Sequence, residues 1–192
     1  MEERTVYLKS WFRGLFFLLA CILLVTMVWT NLSSAATSEE IDTSVDVVLE
    51  QLRTQVKGGE EFLKVPKGVL VLPRIVKAGF IVGGEYGEGA LRIGGKTVDY
   101  YSMAAGSFGA QIGAQQKNVI LIFMEEEALK KFRESSGWKG GVDGSLTVFN
   151  IGVSGFFDTI NVKDSVIAYV FGQKGLMVNV TLEGAKFTRL KK

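Results

Sequence analysis

The 192-residue chain has no histidine and a single cysteine, Cys21. Without imidazole there is no Ser-His or Cys-His nucleophile and no His-based zinc site, so any catalysis would rest on Asp, Glu, Lys, Tyr or Ser alone. One cysteine forms no internal disulfide, which removes a disulfide framework. The chain is therefore expected to need no metal and no cofactor. A strong charge of either sign is also missing: 22 Lys and Arg stand against 20 Asp and Glu. A nucleic-acid partner, which usually calls for a basic domain, is not expected.

The first 36 residues read as an address. Arg4, Lys9 and Arg13 precede the uncharged run Gly14 to Trp29, and "TNLSSAA" follows with small residues. This order is that of a signal peptide cleaved after Ala35 or Ala36. Two other readings stay open. "LLAC", ending at Cys21, resembles a lipobox, although apolar residues follow it. An uncleaved anchor would use a run somewhat shorter than the ~20 apolar residues that span a bilayer. Each reading makes residues 1–36 a signal or anchor and exports residues 37–192 to the periplasm or envelope. Removing three bases and two acids leaves that domain almost neutral, so its net charge selects no partner.

Thr37 or Ser38 followed by Glu39 and Glu40 is a helix start. Ile41, Val45, Val48, Leu49, Leu52 and Val56 then recur at helical spacing, and Gly58-Gly59 ends the pattern. Such a stripe packs against its own domain by default, with a membrane surface as the alternative. From Val69 onward short apolar segments alternate with glycines, as strands do. "GFIVGGEYGEGALRIGG" reads as two strands around Gly87-Glu88-Gly89, "AGSFGAQIGAQQ" alternates strictly, and "NVILIFM" is apolar on both faces, as a central strand is. "EEEALKKFRESSGW" predicts a short helix stopped near Gly137. "GSLTVFNIGVSG", "SVIAYVFGQ" and "GLMVNVTLEG" predict three more strands. The expected fold is α+β: a mainly antiparallel sheet or partly closed barrel with two or three helices, in one domain.

"ALRIGGKT", Ala90 to Thr97, approximates a phosphate-binding loop. Such a loop needs a strand before it and a helix directly after it, so that amides at the helix start point at the phosphate. The following "VDYYSMAAGSFG" carries no helical stripe, so no nucleotide is expected and the glycines serve turns and strand bending.

Two constellations remain. "KVPKGVLVLPRIVK" carries Lys64, Lys67, Arg74 and Lys77 with no intervening acid, and "KFTRLKK" closes the chain with another basic group. The carboxylate pairs Glu85 with Glu88 and Asp143 with Asp158 are the residues a hydrolase of the glycosidase kind would use; ordinary surface acids explain them as well.

"PKGVLVLPRIVKAGFIVGGEYGEGAL", "YYSMAAGSFGAQIGAQQKNVILIFM", "SSGWKGGVDGS" and "KDSVIAYVFGQKGLMVNVTLEGAKFTRL" together resemble the SYLF domain family, the Ysc84-type module also called an actin-binding domain, and in kind its exported bacterial members. The resemblance spans Ser38 to Leu190 and implies a non-enzymatic domain that binds phospholipids. Cations that meet phosphates and an apolar face that meets acyl chains are what such binding needs. Lys64, Lys67, Arg74 and Lys77, with Ile41, Val45, Val48 and Leu52 of the first helix, are the candidate residues. Anionic phospholipid or a membrane surface is the expected partner, and an envelope protein is the alternative.

Overall fold

A computed structural model describes residues 36–55, 60, 63, 66–79, 82–108, 113–150, 164–174 and 182–192. Of the two units into which the chain divides, Met1–Ala36 and Thr37–Lys192, all described residues except Ala36 belong to the second. The expected leader therefore lies outside the described residues, and so do Lys64, Asp158 and the strand expected at "GLMVNV".

Helix α1 spans Ser38–Gln55. Its start is a capping box, in which the Glu40 N–H donates to Thr37 Oγ1 (3.2 Å) and the Thr37 N–H donates to Glu40 Oε2 (2.8 Å). Strands β1 (Gly68–Gly79), β2 (Val82–Ile93), β3 (Lys96–Phe108) and β4 (Gly113–Phe123) follow. Helix α2 covers Glu126–Glu134. Strands β5 (Trp138–Lys139), β6 (Thr147–Asn150), β7 (Val166–Lys174) and β8 (Lys186–Leu190) complete the described chain. They form one curled eight-stranded sheet in the order β5-β8-β3-β2-β1-β4-β7-β6, antiparallel except at β6 and β7. With the two described helices this is the α+β class expected. The succession β4-β1-β2-β3 is that of a Greek key, and it makes β1 a central strand.

Strand alternation sorts the core into two layers. On one face Leu70, Leu72 and Ile75 of β1, Leu91 of β2, Tyr101 and Met103 of β3, and Val119, Leu121 and Phe123 of β4 are buried with Leu129 and Phe132 of α2. The Phe132 ring lies 4.7 Å from that of Tyr101, 4.9 Å from Phe123 and 5.5 Å from Trp138, centroid to centroid. Asp99 of β3 ties this face to its neighbours, accepting from Arg133 Nε of α2 at 3.0 Å and from Arg189 of β8. Helix α1 packs on β1 and β2 at the opposite face. Its Asp42 accepts the Thr97 hydroxyl at 2.6 Å and the Tyr100 hydroxyl at 2.8 Å, while Arg92 Nη1 reaches Asp46 at 2.7 Å.

The glycine-rich stretch folds differently from its sequence reading. No turn occurs at Gly87-Glu88-Gly89, because β2 runs unbroken through it. A side chain at Gly89 would collide with the backbone of Val71 and one at Gly87 with Ile75, so these glycines let β1 and β2 approach closely. The turn is Gly94-Gly95, with φ of +56° and +79°, which links β2 to β3. Lys96 and Thr97 enter a strand there, so the loop-like string "ALRIGGKT" is a β-hairpin.

Candidate functional site

Pro73 interrupts β1 at its centre. Proline offers no N–H to a ladder and sits inside a sheet only at a bulge, and the pairing of β1 with β4 shifts between Leu72 and Ile75. Arg74 takes up the extra residue with φ of +49°, a left-handed conformation that side chains other than Gly, Asn and Asp rarely adopt. Its N–H leaves the ladder and donates to Oδ1 of Asn118 at 3.1 Å. Next to Asn118 a second irregularity falls between β4 and β7, in the register between Gln116 and Asn118. Gly172 of β7 has φ of +65°, and a Cβ there would lie 2.7 Å from Asn118 Nδ2.

These two irregularities open a cleft of about 430 Å³ between the sheet and α1. Thr43, Ser44 and Gln51 line it from the helix, and Arg74, Gln116 and Asn118 line it from the strands. Asn118 Nδ2 donates to Gln51 Oε1 at 3.5 Å, and Arg74 Nη2 donates to Ser44 Oγ at 3.4 Å. Among the described residues, no aspartate or glutamate lines the cleft. Lys117 contributes to the wall, but its ammonium is committed to Glu85 at 2.6 Å. The exposed apolar residues nearest in the chain and the ladder are Val47 of α1, which lines the cleft, and the cross-strand pair Val76 and Tyr86.

Arginine pairing singles out one residue. Arg53 pairs with Glu50, Arg92 with Asp42 and Asp46, and both Arg133 and Arg189 with Asp99. Arg74 alone among the described arginines has no carboxylate partner. Glu40 feels its charge, yet that carboxyl is held below its ordinary range chiefly by the Thr37 cap, with Lys192 and Arg74 as minor contributors.

The basic stretch does not converge. Lys67 lies just before β1, exposed, its N–H bonded to the Phe123 carbonyl at 2.8 Å. Lys77 lies ten residues further on, about 33 Å away along an extended strand. It faces Glu85 at 3.9 Å, in register with it. Ile41, Val45, Val48 and Leu52 are all buried. The apolar stripe of α1 is thus part of the interior, the default outcome for such a helix, and in this arrangement it presents no face to a bilayer.

The carboxylates Glu85 and Glu88 are separated too. Glu85 and Glu88 are three residues apart on one strand and so point to opposite faces. Glu85 contacts Lys117 and Lys77, whereas Glu88 accepts from Tyr86 (2.8 Å) and pairs with Lys192 (2.7 Å). Asp143 accepts the Lys139 N–H at 2.7 Å. Ser44, Gln51 and Asn118 were not legible as site residues. Each is an isolated polar residue, and only the coincidence of the two strand irregularities brings them together.

A cleft walled by amides, hydroxyls and one free guanidinium belongs to a binding domain, equipped to hold a ligand or partner. Residues 104–192 match the family described as Ysc84, Las17-binding protein actin regulator, the family that the sequence resembles. No curated protein matches the chain at a significant level. The matched segment begins within β3, so it supplies Gln116, Asn118 and Gly172 of the cleft, while Arg74 and α1 precede it.

Proposed function

We propose that the protein is a non-enzymatic module of the cell envelope that binds anionic phospholipid at a membrane surface. One observation carries this reading: an arginine without a carboxylate partner, Arg74, stands beside exposed Val47, Val76 and Tyr86. A lipid interface asks for that combination, because a cation meets headgroup phosphate while neighbouring apolar groups meet the acyl boundary. The reading shifts the contact from the interior stripe of α1 and the dispersed lysines to this one patch.

Flotation of the full chain with vesicles tests it. Preference for phosphatidylglycerol over phosphatidylcholine vesicles is expected. Arg74→Gln should reduce that preference about fivefold, the effect of one cation worth about 1 kcal/mol near an anionic surface. Salt should reduce it as well, since the Debye length shrinks from ~10 Å at 0.1 M to ~3 Å at 1 M. No preference in the wild-type chain would reject the reading. A protein partner is the second reading, favoured by the description of the matched family as Las17-binding and actin-regulating; under it, vesicles of neither kind are preferred.

A further inference from the structure

We infer that the cleft beside α1 is a discrete oxyanion pocket that takes a single phosphate group, with the Arg74 guanidinium as its counter-charge. The inference rests on the phospholipid reading for the source of the phosphate, but not for its chemistry. Four observations meet in it.

The first is capacity. A volume of about 430 Å³ falls within the range of small-ligand sites, roughly 300–1,000 Å³. The second is charge. Every other described arginine is neutralised by an acid, and among the described residues the cleft wall holds no carboxylate, so Arg74 is the charge an entering anion meets there. The planar guanidinium suits a phosphate because it can donate two parallel bonds. The third is the supply of further donors. The Ser44 hydroxyl and the amides of Gln51 and Gln116 line the same space, while the Thr43 hydroxyl is committed to the Glu39 carbonyl at 2.9 Å, and the Arg74–Ser44 bond, at 3.4 Å, is long enough to exchange for a stronger one.

The fourth is conformational. A position with φ of +49° is served best by Gly, and next by Asn or Asp, so folding alone gives no reason for an arginine there. Its left-handed backbone directs the side chain from the bulge toward α1, where it meets Ser44. Asn118 fixes that geometry by accepting the Arg74 N–H, and Gly172 leaves the room Asn118 needs. Strain held in place at a polar cleft fits a binding role, because pre-ordering the cation lowers the cost of capturing the ligand.

This separates the pocket from the fold in an experiment. Replacing Arg74 by Gly relieves the left-handed backbone while deleting the cation; Arg74→Asn does nearly the same and keeps a side chain. Calorimetric titration of the full chain with glycerol 3-phosphate and with inorganic phosphate, beside thermal melting, reads both effects. The wild type should bind at least glycerol 3-phosphate saturably. Both variants should bind at least about tenfold more weakly, as expected for losing a charged hydrogen-bonding partner, and melt no lower than the wild type. Binding equal in wild type and variants, or no saturable binding by the wild type, overturns the pocket.

Flotation with phosphatidic acid vesicles then identifies the source. Phosphate binding lost in Arg74→Gly together with loss of flotation assigns the pocket to a lipid headgroup. Phosphate binding that depends on Arg74, without vesicle preference, supports the pocket for a free phosphate compound and rejects the phospholipid reading. Vesicle preference that survives Arg74→Gly rejects the pocket as the lipid site and leaves the phospholipid reading standing.

Discussion

The ammonium of Lys117 lies 2.6 Å from Oε2 of Glu85, both side chains almost wholly buried, and Lys77 approaches the other carboxylate oxygen at 3.9 Å. Two cations share one anion beneath the glycine-rich strands. Burial pulls the Lys117 ammonium below its ordinary range; Glu85 opposes that pull and Lys77 adds to it.

The unequal sharing gives an unequal cost. Glu85→Gln leaves Lys117 and Lys77 facing each other and should cost about 3–5 kcal/mol, the range for breaking a buried ion pair. Lys117→Met leaves Glu85 its contact with Lys77 and should cost clearly less. Urea unfolding measures both; equal losses would show that Lys77 does not stabilise the carboxylate. Above neutral pH the unfolded lysine keeps its proton up to about 10.5, while folded Lys117 releases it earlier. The unfolded state therefore binds more protons in that window, and this residue makes stability rise with pH there.

Tyr101 acts in the opposite sense. Its hydroxyl is buried without a hydrogen-bond partner among the described residues, and desolvation, aided by the charge of Asp99, raises its pKa to about 12. An unfolded tyrosine ionises near 10, so between pH 10 and 12 the unfolded state binds fewer protons and stability falls. Tyr101→Phe removes both the unpaired hydroxyl and this alkaline loss. It should stabilise by about 1 kcal/mol at neutral pH, and by more at pH 11. A destabilised variant would mean that the hydroxyl has a partner in the native protein.

The start of α1 was readable in the sequence, since a threonine followed three residues later by a glutamate carries its own local chemistry. Thr37→Ala should cost about 1 kcal/mol, the typical worth of an N-cap. The Glu40 half of the box has a pH signature. Its carboxyl is lowered chiefly by the Thr37 N–H, so its contribution is present above about 4.5 and disappears as pH falls through the lower folded value. Acid unfolding of Glu40→Gln compared with wild type should show a shallower stability loss below pH 4.5; parallel curves would mean the box does not persist in solution.

What was legible followed the range of the physics. Helix α1, helix α2 and the central strand "NVILIFM" announce themselves through periodicity, and β4, paired with β1 on one side and β7 on the other, is buried on both faces from Val119 to Phe123. The turn was misplaced because Gly87 and Gly89 have the composition of a turn but answer to β1, the neighbouring strand. Strand β8 was read only as a basic tail: Lys186 and Arg189 are exposed, and of its residues only Phe187 is buried in the core. The dispersion of Lys67, Arg74 and Lys77 was hidden for a related reason. A bulge at Pro73 changes which face each following residue takes, and nothing in a list of charges records that.

The cleft itself gives the last test, through Asn118. This side chain does two things at once: Oδ1 holds the Arg74 N–H, and Nδ2 reaches Gln51. Gly172→Ala should disturb both, because it adds a Cβ 2.7 Å from Nδ2 at a φ of +65°. A loss of about 1–3 kcal/mol is expected from the left-handed strain and the crowding together. Gly106→Ala is the matched control, since a Cβ there meets nothing within 4 Å, and it should change stability by less than about 0.5 kcal/mol. Asn118→Asp separates structure from binding. The carboxylate still accepts the Arg74 N–H, so the bulge keeps its partner, but it places a negative charge in a wall whose described residues otherwise carry none. Glycerol 3-phosphate binding should then fall at least as far as in Arg74→Gly, and the new carboxylate should pair with the guanidinium that the phosphate would have used. If Asn118→Asp binds phosphate as the wild type does, the anion does not lie between Arg74 and Asn118.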